Sequence, residues 1–357
     1  PQGSALDNLL NPDGTINQQT VQKVLAGGAG QSNPSVALDQ AWIRFDIAHV
    51  AFITAGRQHV KWGTSRIWNP TDYLTPARRN PLAFFDARLG ASMVKVHVPW
   101  EAAGANFYAL GLLDNAGPAT LFRQLGGALR AEAVLFKTTE VGASALFQQG
   151  SKPKYALDVS TPLGPVDVYG EAALKQGSDV DLYRCTDEAT VCAFETYRPE
   201  GWTPAASGGV EWTFPYTENK TATVGLEYFY NSNGYDSPRI YPQLVLQGAF
   251  TPFYLGKHYA ALYGALIGPG NWDKVSFLMF NLANLSDRSF VSRLNFTVQV
   301  MTYLTVEAYG AVHYGTEGGE FRLGLEAQQA VINGIPVNIP KIPTPLWDAG
   351  MGLRVSL

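Results

Sequence analysis

The chain has 357 residues, of which 46% are hydrophobic, 12% aromatic and only 16% charged, and its formal net charge is -4. This weakly acidic balance gives no reason to expect nucleic-acid binding, and no apolar run reaches the roughly 18 residues that a transmembrane helix needs. Charged residues are scarcer than the about 25% of ordinary soluble domains, and the 36 glycines favour strands and tight turns.

Residues 1–35 differ in pattern from the rest of the chain. They contain a turn at 11–14 (NPDG), a short helical pattern around 17–25 and a glycine-rich exit at 27–30. We expect them to form an extracellular loop or a plug-like segment, with a separate small domain as the alternative.

Residues 36–357 alternate between apolar and polar side chains in segment after segment. In 292–300, for example, Leu294 and Phe296 interleave with Arg293 and Asn295. Alternation of this kind predicts a β-sheet with one apolar and one polar face. The predicted strands are 37–47, 50–62, 87–98, 104–113, 125–137, 140–149, 154–162, 165–177, 205–215, 221–231, 257–267, 273–283, 289–300, 304–314 and 347–357.

The length of these strands favours a membrane barrel over a water-soluble sandwich. A tilted strand that crosses hydrocarbon has about 9–11 residues, whereas strands of globular proteins have about 5–6. The polar face is rich in Gly, Ser, Thr and Asn rather than in the Lys and Glu that a face in bulk water carries. Aromatic residues near the predicted strand ends, as interfacial girdles require, are Trp62, Trp100, Tyr230, Trp272, Tyr303, Tyr314 and Trp347.

Because lipid cannot satisfy an open sheet edge, such a sheet has to close. The sequence therefore predicts an all-β fold for 36–357: a transmembrane antiparallel up-and-down β-barrel in the bacterial outer membrane, with short periplasmic turns and long extracellular loops. Bacterial barrels have even strand numbers, so we expect about 16 strands, of which 15 are visible in this chain. Either an earlier strand lies outside it or the count is off by one.

The long connections contain two unusual segments. Residues 319–327 alternate and are either loop or a further strand. Residues 331–340 (VINGIPVNIP) are too apolar for an ordinary surface loop, so a partner subunit or the interior of the barrel is expected to cover them.

The most distinctive stretch reads AGRQHVKWG at 55–63, followed by WNPTDYL at 68–74. It resembles a pattern in large proteobacterial outer-membrane barrels, alginate-export-type porins among them. In these a Gly-Arg-Gln strand with a Trp-Gly end leads into an Asn-Pro-x-Asp loop. The resemblance spans residues 40–90. It implies an outer-membrane, porin-like barrel and does not identify a substrate.

Three cationic or potentially cationic residues share one face of the predicted strand at 50–62, namely Arg57, His59 and Lys61. Facing lipid near the midplane they would cost several kcal/mol, so we expect them to face the interior, with Gln58 and Trp62 on the opposite face. The predicted constriction consists of Arg57, His59, Lys61, Arg66, Asp72, Arg78, Arg79 and Arg88, with Asp72 and Asp86 as ion-pair partners. These residues either form an anion- or saccharide-favouring filter or brace the loop against the wall.

Cys185 and Cys192 are the only two cysteines and lie in one long connection. The cell surface is oxidising, so we expect a disulfide. No two of the five histidines have metal-ligand spacing, and we find neither a phosphate-binding loop nor the Ser-His-Asn or Asp-His pairing of outer-membrane hydrolases. We therefore expect no metal, no cofactor and no enzymatic activity.

The leading hypothesis is a channel for diffusion or export of small hydrophilic solutes. The alternative is a plugged barrel that acts as a scaffold in an outer-membrane complex. Expected partners are membrane lipid, lipopolysaccharide, small solutes, and further copies or partner subunits at the external loops. Residues expected to line the interior are Arg130, Glu132, Glu171, Lys175, Glu211, Glu227, Arg293 and Glu307.

Overall fold

The computed structural model describes residues 38–75, 78–83, 88–114, 125–178, 180–187, 192, 194–325, 328–332, 335–339 and 341–355, and between 326 and 340 it describes the backbone only. The predicted N-terminal segment 1–35 and Asp86 lie outside these residues.

Nineteen strands are formed by the described residues. In chain order they are β1 (Ala41–Ile47), β2 (Ala51–Gln58), β3 (Ala91–Trp100), β4 (Ala105–Asp114), β5 (Gly126–Leu135), β6 (Thr139–Gln148), β7 (Lys154–Leu163), β8 (Val166–Gln176), β9 (Leu182–Cys185), β10 (Phe194–Tyr197), β11 (Trp202–Thr217), β12 (Lys220–Asn231), β13 (His258–Ile267), β14 (Val275–Asn284), β15 (Ser289–Met301), β16 (Leu304–Gly315), β17 (Gln328–Ile332), β18 (Ile335–Ile339) and β19 (Trp347–Val355).

Fifteen of these strands form one antiparallel sheet in which spatial order follows chain order. The remaining four form two small hairpins, β9 with β10 and β17 with β18. All fifteen predicted strands are present, and the prediction of an all-β antiparallel fold is confirmed. β1 and β19 stand at the two ends of the order, and the sixteenth strand of the predicted barrel stays a prediction.

The two faces of the sheet differ as the alternation predicts. Leu226 pairs with Leu262, and these side chains are 52% and 47% exposed on the outward face. Their chain neighbours Glu227 and Ala261 also pair and are fully buried on the inward face. Exposed apolar residues of the outward face include Leu129, Leu157, Leu226, Leu262, Leu294 and Leu353.

The inward face is covered by connections that fold inside the curved sheet. Trp62 and Leu74, from the connection between β2 and β3, pack against Met93, Leu112 and Leu146 of the inward face. The eight residues predicted to line the interior also lie on this face, as the strand registers show.

A separate apolar cluster lies among the long connections. It is built on a 3₁₀ turn (Pro238–Ile240) and the short helix α1 (Tyr241–Leu246), whose residues are largely buried. Residues 320–322 form a 3₁₀ turn, so the alternating pattern at 319–327 does not produce a further strand of the main sheet. Among the described helices, none has the length and apolar character needed to span a membrane.

Candidate functional site: a segment across the interior and the vestibule beside it

After β2 the chain turns inward and runs across the interior to the opposite wall. We call residues 62–75 the crossing segment. The amide of Thr64 donates to Glu171 of β8 (3.0 Å), and the hydroxyls of Ser65 and Ser207 of β11 lie 2.6 Å apart. The segment is therefore attached to strands far from the one that it leaves.

Glu227 of β12 is the main attachment point. Its fully buried carboxylate accepts hydrogen bonds from three consecutive amides, those of Arg66 (2.8 Å), Ile67 (3.1 Å) and Trp68 (2.7 Å), and from the hydroxyl of Tyr169 (2.8 Å). Hydrogen bonds to an ionised acceptor are about twice as strong as neutral ones. One side chain thus fixes the path of three residues.

Glu171 provides a second attachment next to a glycine. Besides the Thr64 amide, its carboxylate accepts the hydroxyl of Thr71 (2.9 Å). Gly63 has φ of +90°, and a Cβ at this position would lie 2.0 Å from the Glu171 carboxylate. Glycine is required here both by the backbone conformation and by the close approach.

Trp68 fills the interior on the side of β12 to β16. Its buried ring lies 5.6 Å from the ring of Phe229 and 5.5 Å from that of Tyr259, and its indole N–H donates to the carbonyl of Phe253 (3.0 Å). Phe321 packs in the same cluster. Apolar side chains therefore occupy the space that an aqueous path would need on this side.

On the other side of the crossing segment an open cavity of about 440 Å³ remains, which we call the vestibule. Its cationic lining residues are Arg78, Arg79, Arg88, Lys154 and Lys175, and Asp72 is the one carboxylate among its described lining residues. Aromatic and amide side chains of the lining are Tyr73, Phe229, Tyr254, Gln148, Asn69, Asn231 and Asn233.

The single carboxylate of the vestibule is largely neutralised. The Asp72 side chain is 1% exposed and pairs with Arg88 (3.1 Å). Burial raises the pKa of Asp72, and the Arg88 guanidinium opposes this shift. Arg78 lies over the ring of Tyr254 (4.8 Å) and Lys154 lies near Tyr73 (5.7 Å). The vestibule therefore combines excess positive charge with aromatic faces.

Of the residues predicted for the constriction, Asp72, Arg78, Arg79 and Arg88 line the vestibule. Two other predicted residues, Arg66 and Lys61, lie within the crossing segment or directly before it. The Arg66 guanidinium lies 3.4 Å from Glu211, and the Lys61 ammonium donates to the carbonyl of Ser65 (3.3 Å). Whether these six line a conducting pore stays a prediction.

Arg57 and His59 do not join them. Arg57 pairs with Ser92 on the outward face of the sheet, and its guanidinium donates to the carbonyl of Gly90 (2.8 Å). His59 lies 2.7 Å from Asp39. The prediction that Arg57 faces the interior is therefore wrong, whereas His59 follows the last residue of β2 and its prediction stays a prediction. A cation that faces lipid costs several kcal/mol only near the midplane of the bilayer. At a strand end, where Arg57 lies, an outward cation costs only about 0–1 kcal/mol.

The faces of the neighbouring residues are reversed accordingly. Gln58 is buried, with its amide donating to the carbonyl of Thr54 (3.3 Å), and Trp62 packs inside the sheet. The predicted alternation of side chains through 51–58 is correct. The prediction, however, turned the inward face of this strand outward and its outward face inward.

The predicted disulfide between Cys185 and Cys192 is confirmed. Cys192 is buried in the cluster around α1, together with Leu244 and Leu325. The β9–β10 hairpin, α1 and the connection after β16 thus pack into one unit, which we call the cap and which the sequence did not predict.

A His-Asp contact that the sequence did not predict joins β16 to β19. Nε2 of His313 lies 2.6 Å from the carboxylate of Asp348, and Nδ1 lies 2.8 Å from the carbonyl of Phe321. The ring therefore connects the 3₁₀ turn to β19, and both of its nitrogens are engaged. In the part of the chain that is described, no group of three or more His, Cys, Asp or Glu could hold a metal ion.

No family model and no curated protein matches the chain in sequence. Among solved structures, Wzi of Escherichia coli, described as a carbohydrate-binding β-barrel and an outer-membrane protein involved in group 1 capsule assembly, aligns over 82% of this chain and 70% of its own, with a TM-score of 0.50 and 13% identity. The chain has the fold of an outer-membrane β-barrel.

Two further barrels align less well. OccAB1 of Acinetobacter baumannii has a TM-score of 0.43 and 12% identity, with 75% of this chain and 69% of its own covered. OccD3 (OpdP) of Pseudomonas aeruginosa has a TM-score of 0.39 and 11% identity, with 86% and 75% covered.

Proposed function

We propose that this protein is a porin-like channel of the bacterial outer membrane, in contact with membrane lipid and lipopolysaccharide. It admits small hydrophilic solutes and prefers anionic ones, acidic saccharides among them. The observation that carries the proposal is the vestibule, where five cationic side chains face a cavity whose single described carboxylate is paired with Arg88.

Charge and shape of the vestibule both support this preference. Like-signed charges in a narrow cavity with low-dielectric walls concentrate counter-ions. The guanidinium groups of Arg78 and Arg79 offer bidentate donors to oxyanions. The rings of Tyr73 and Tyr254 and the amides of Asn69 suit the apolar faces and hydroxyls of a sugar ring.

Conductance of the purified protein in a planar bilayer tests the proposal. In a salt gradient we expect discrete openings with a reversal potential that indicates anion preference. Arg78→Ala should shift this potential towards zero, because it removes vestibule charge. Lys274→Ala is the matched control, since Lys274 is exposed in the turn between β13 and β14.

A second candidate function is a plugged barrel that serves as a scaffold. It is favoured by the crossing segment, whose Trp68 is buried in an apolar cluster inside the sheet, and by the separate apolar cluster of the cap. A silent bilayer with a correctly folded protein, verified by heat-modifiable gel mobility, would contradict the channel and support the scaffold.

A further inference from the structure

One arginine of the vestibule differs from the other arginines that line it. The guanidinium of Arg79 donates to the carbonyl of Arg66, and that of Arg88 is paired with Asp72 (3.1 Å). Arg78 is exposed within the vestibule and lies over the ring of Tyr254 (4.8 Å). It has neither a hydrogen bond nor an ion pair among the described residues. Its N–H donors are therefore available to a solute in the vestibule.

The ring beneath Arg78 is held in place by three contacts. The hydroxyl of Tyr254 donates to the carbonyl of Arg79 (3.1 Å), and the carbonyl of Tyr254 accepts the side-chain amide of Asn231 (3.0 Å). The Tyr254 ring also lies edge-on to the buried ring of Phe229, at 5.9 Å. Arg78 thus rests on a platform that is fixed before any solute binds.

The position over a ring determines which donors of Arg78 a solute can reach. A guanidinium is planar and carries five N–H groups in its plane. When one of its faces lies over an aromatic ring, the N–H groups at its edge remain open, and two of them can donate in parallel to the two oxygens of a carboxylate. A lysine ammonium has neither the planar shape nor the paired donors.

We propose that Arg78, supported by Tyr254, binds the carboxylate of a solute and that the vestibule recognises acidic saccharides through this group. The inference rests on the proposed function for its class of solute. The other cations of the vestibule attract anions of any shape, whereas Arg78 distinguishes the planar carboxylate. The cavity of about 440 Å³ lies within the range of about 300–1,000 Å³ that small-molecule sites occupy.

Calorimetric titration of the purified protein in detergent tests the site without requiring conduction. The probe is glucuronate, and its methyl ester is the matched probe because it keeps the sugar ring and removes the charge. We expect the ester to bind at least about tenfold more weakly than glucuronate. Equal binding of the two probes would overturn the site.

The variant Arg78→Lys separates the shape of the donor from its charge. The charge is kept, so the reversal potential in a salt gradient should not change, whereas the affinity for glucuronate should fall at least about tenfold. Arg184→Lys is the matched control. Arg184 also lies over a tyrosine ring, that of Tyr197 (5.4 Å), but it is paired with Glu195 and is not among the described residues that line the vestibule. An affinity in Arg78→Lys equal to that of the control would contradict recognition by Arg78.

The platform provides an independent readout. Tyr254→Leu removes the ring beneath Arg78 and should weaken glucuronate binding about threefold or more, whereas Tyr254→Phe keeps the ring and should bind like the unsubstituted protein. Heat-modifiable gel mobility verifies that each variant is folded. Equal affinities of these two variants would show that the ring does not support the site.

The outcomes separate the site from the channel. If the folded protein conducts with anion preference but does not bind glucuronate, the site is overturned and the channel stands. If the folded protein binds glucuronate through Arg78 but is silent in a planar bilayer, the channel is overturned and the site stands.

Discussion

At the scale of single residues, buried carboxylates determine where the long connections lie. Glu227 holds the crossing segment, and Glu320 holds the cap in the same way. The Glu320 carboxylate accepts the amide of Phe253, the hydroxyl of Tyr259 (2.6 Å) and the amide group of Asn284 (2.7 Å). Burial, reinforced by the nearby Asp287 carboxylate, raises the pKa of Glu320 to about 8.

This shift predicts a pH dependence of cap stability. The folded pKa lies above the ordinary value of 4.5, so the folded state binds the proton more tightly than the unfolded state. Stability is therefore highest below about pH 4.5 and falls until the pH exceeds about 8. Hydrogen exchange of residues 250–257 and 316–323 between pH 5 and pH 9, corrected for intrinsic rates, should report the loss.

Glu320→Gln should flatten this dependence. Glu317→Gln, in the same connection but with an exposed side chain, should leave it intact. If hydrogen exchange in Glu320→Gln depended on pH as in the unsubstituted protein, another group would titrate. The assignment of the pH dependence to Glu320 would then be wrong.

A second prediction at the scale of single residues concerns the variant Gly63→Ala. The added methyl meets the Glu171 carboxylate at 2.0 Å, and alanine at φ of +90° is strained. Each of these two effects is expected to cost about 1–3 kcal/mol of docking free energy. Limited proteolysis within residues 59–75 should accelerate, whereas Gly352→Ala, where the methyl meets nothing within 4 Å, should behave like the unsubstituted protein.

At the scale of elements, the strands and the long connections have different origins of stability. In the fifteen-stranded sheet each strand between β1 and β19 is hydrogen-bonded to a neighbour on both sides. The cap depends instead on one apolar cluster, one disulfide and the hydrogen bonds of Glu320. Its elements α1 and β9–β10 have six and four residues, too few to be stable by themselves.

Removal of the disulfide should therefore loosen the cap and spare the sheet. In the double variant Cys185→Ser with Cys192→Ser, the chain-entropy model predicts a loss of up to about 2–3 kcal/mol for so short a loop. Cleavage between residues 182 and 197 by a protease should become faster. If heat-modifiable gel mobility were lost as well, the cap would be an essential part of the barrel, contrary to this expectation.

At the scale of the whole molecule, the apolar surface is on the outside and much of the polar surface is on the inside. Leu262 lies at the middle of β13 on the outward face and is 47% exposed. Such a face is stable only against an apolar medium, which is the physical basis for placing the protein in a bilayer.

This arrangement predicts that stability depends on the depth of an introduced charge. Leu262→Arg should cost about 2–4 kcal/mol in vesicles, whereas Leu266→Arg, near the end of the same strand and on the same face, should cost about 0–1 kcal/mol. Equilibrium unfolding by denaturant in lipid vesicles measures both. Equal losses would indicate that the outward face does not contact hydrocarbon.

The sequence by itself determined the fifteen strands, their inward and outward faces beyond β2, and the disulfide. These features depend on local alternation and on two cysteines, so they need no knowledge of distant contacts. Near the end of β2 the same reasoning placed Arg57 on the wrong face, because the energetic cost of a charge depends on depth and alternation does not report depth.

Only the tertiary structure decided which inward-facing residues form hydrogen bonds with the long connections. Glu227 and Trp68 are 159 positions apart, and Ser65 and Ser207 are 142 apart. Alternation shows that Glu227 faces inward but cannot show that three amides meet its carboxylate there. The vestibule and the cap arise in the same way, because curvature of the sheet brings together groups whose separation along the chain carries no periodic signal.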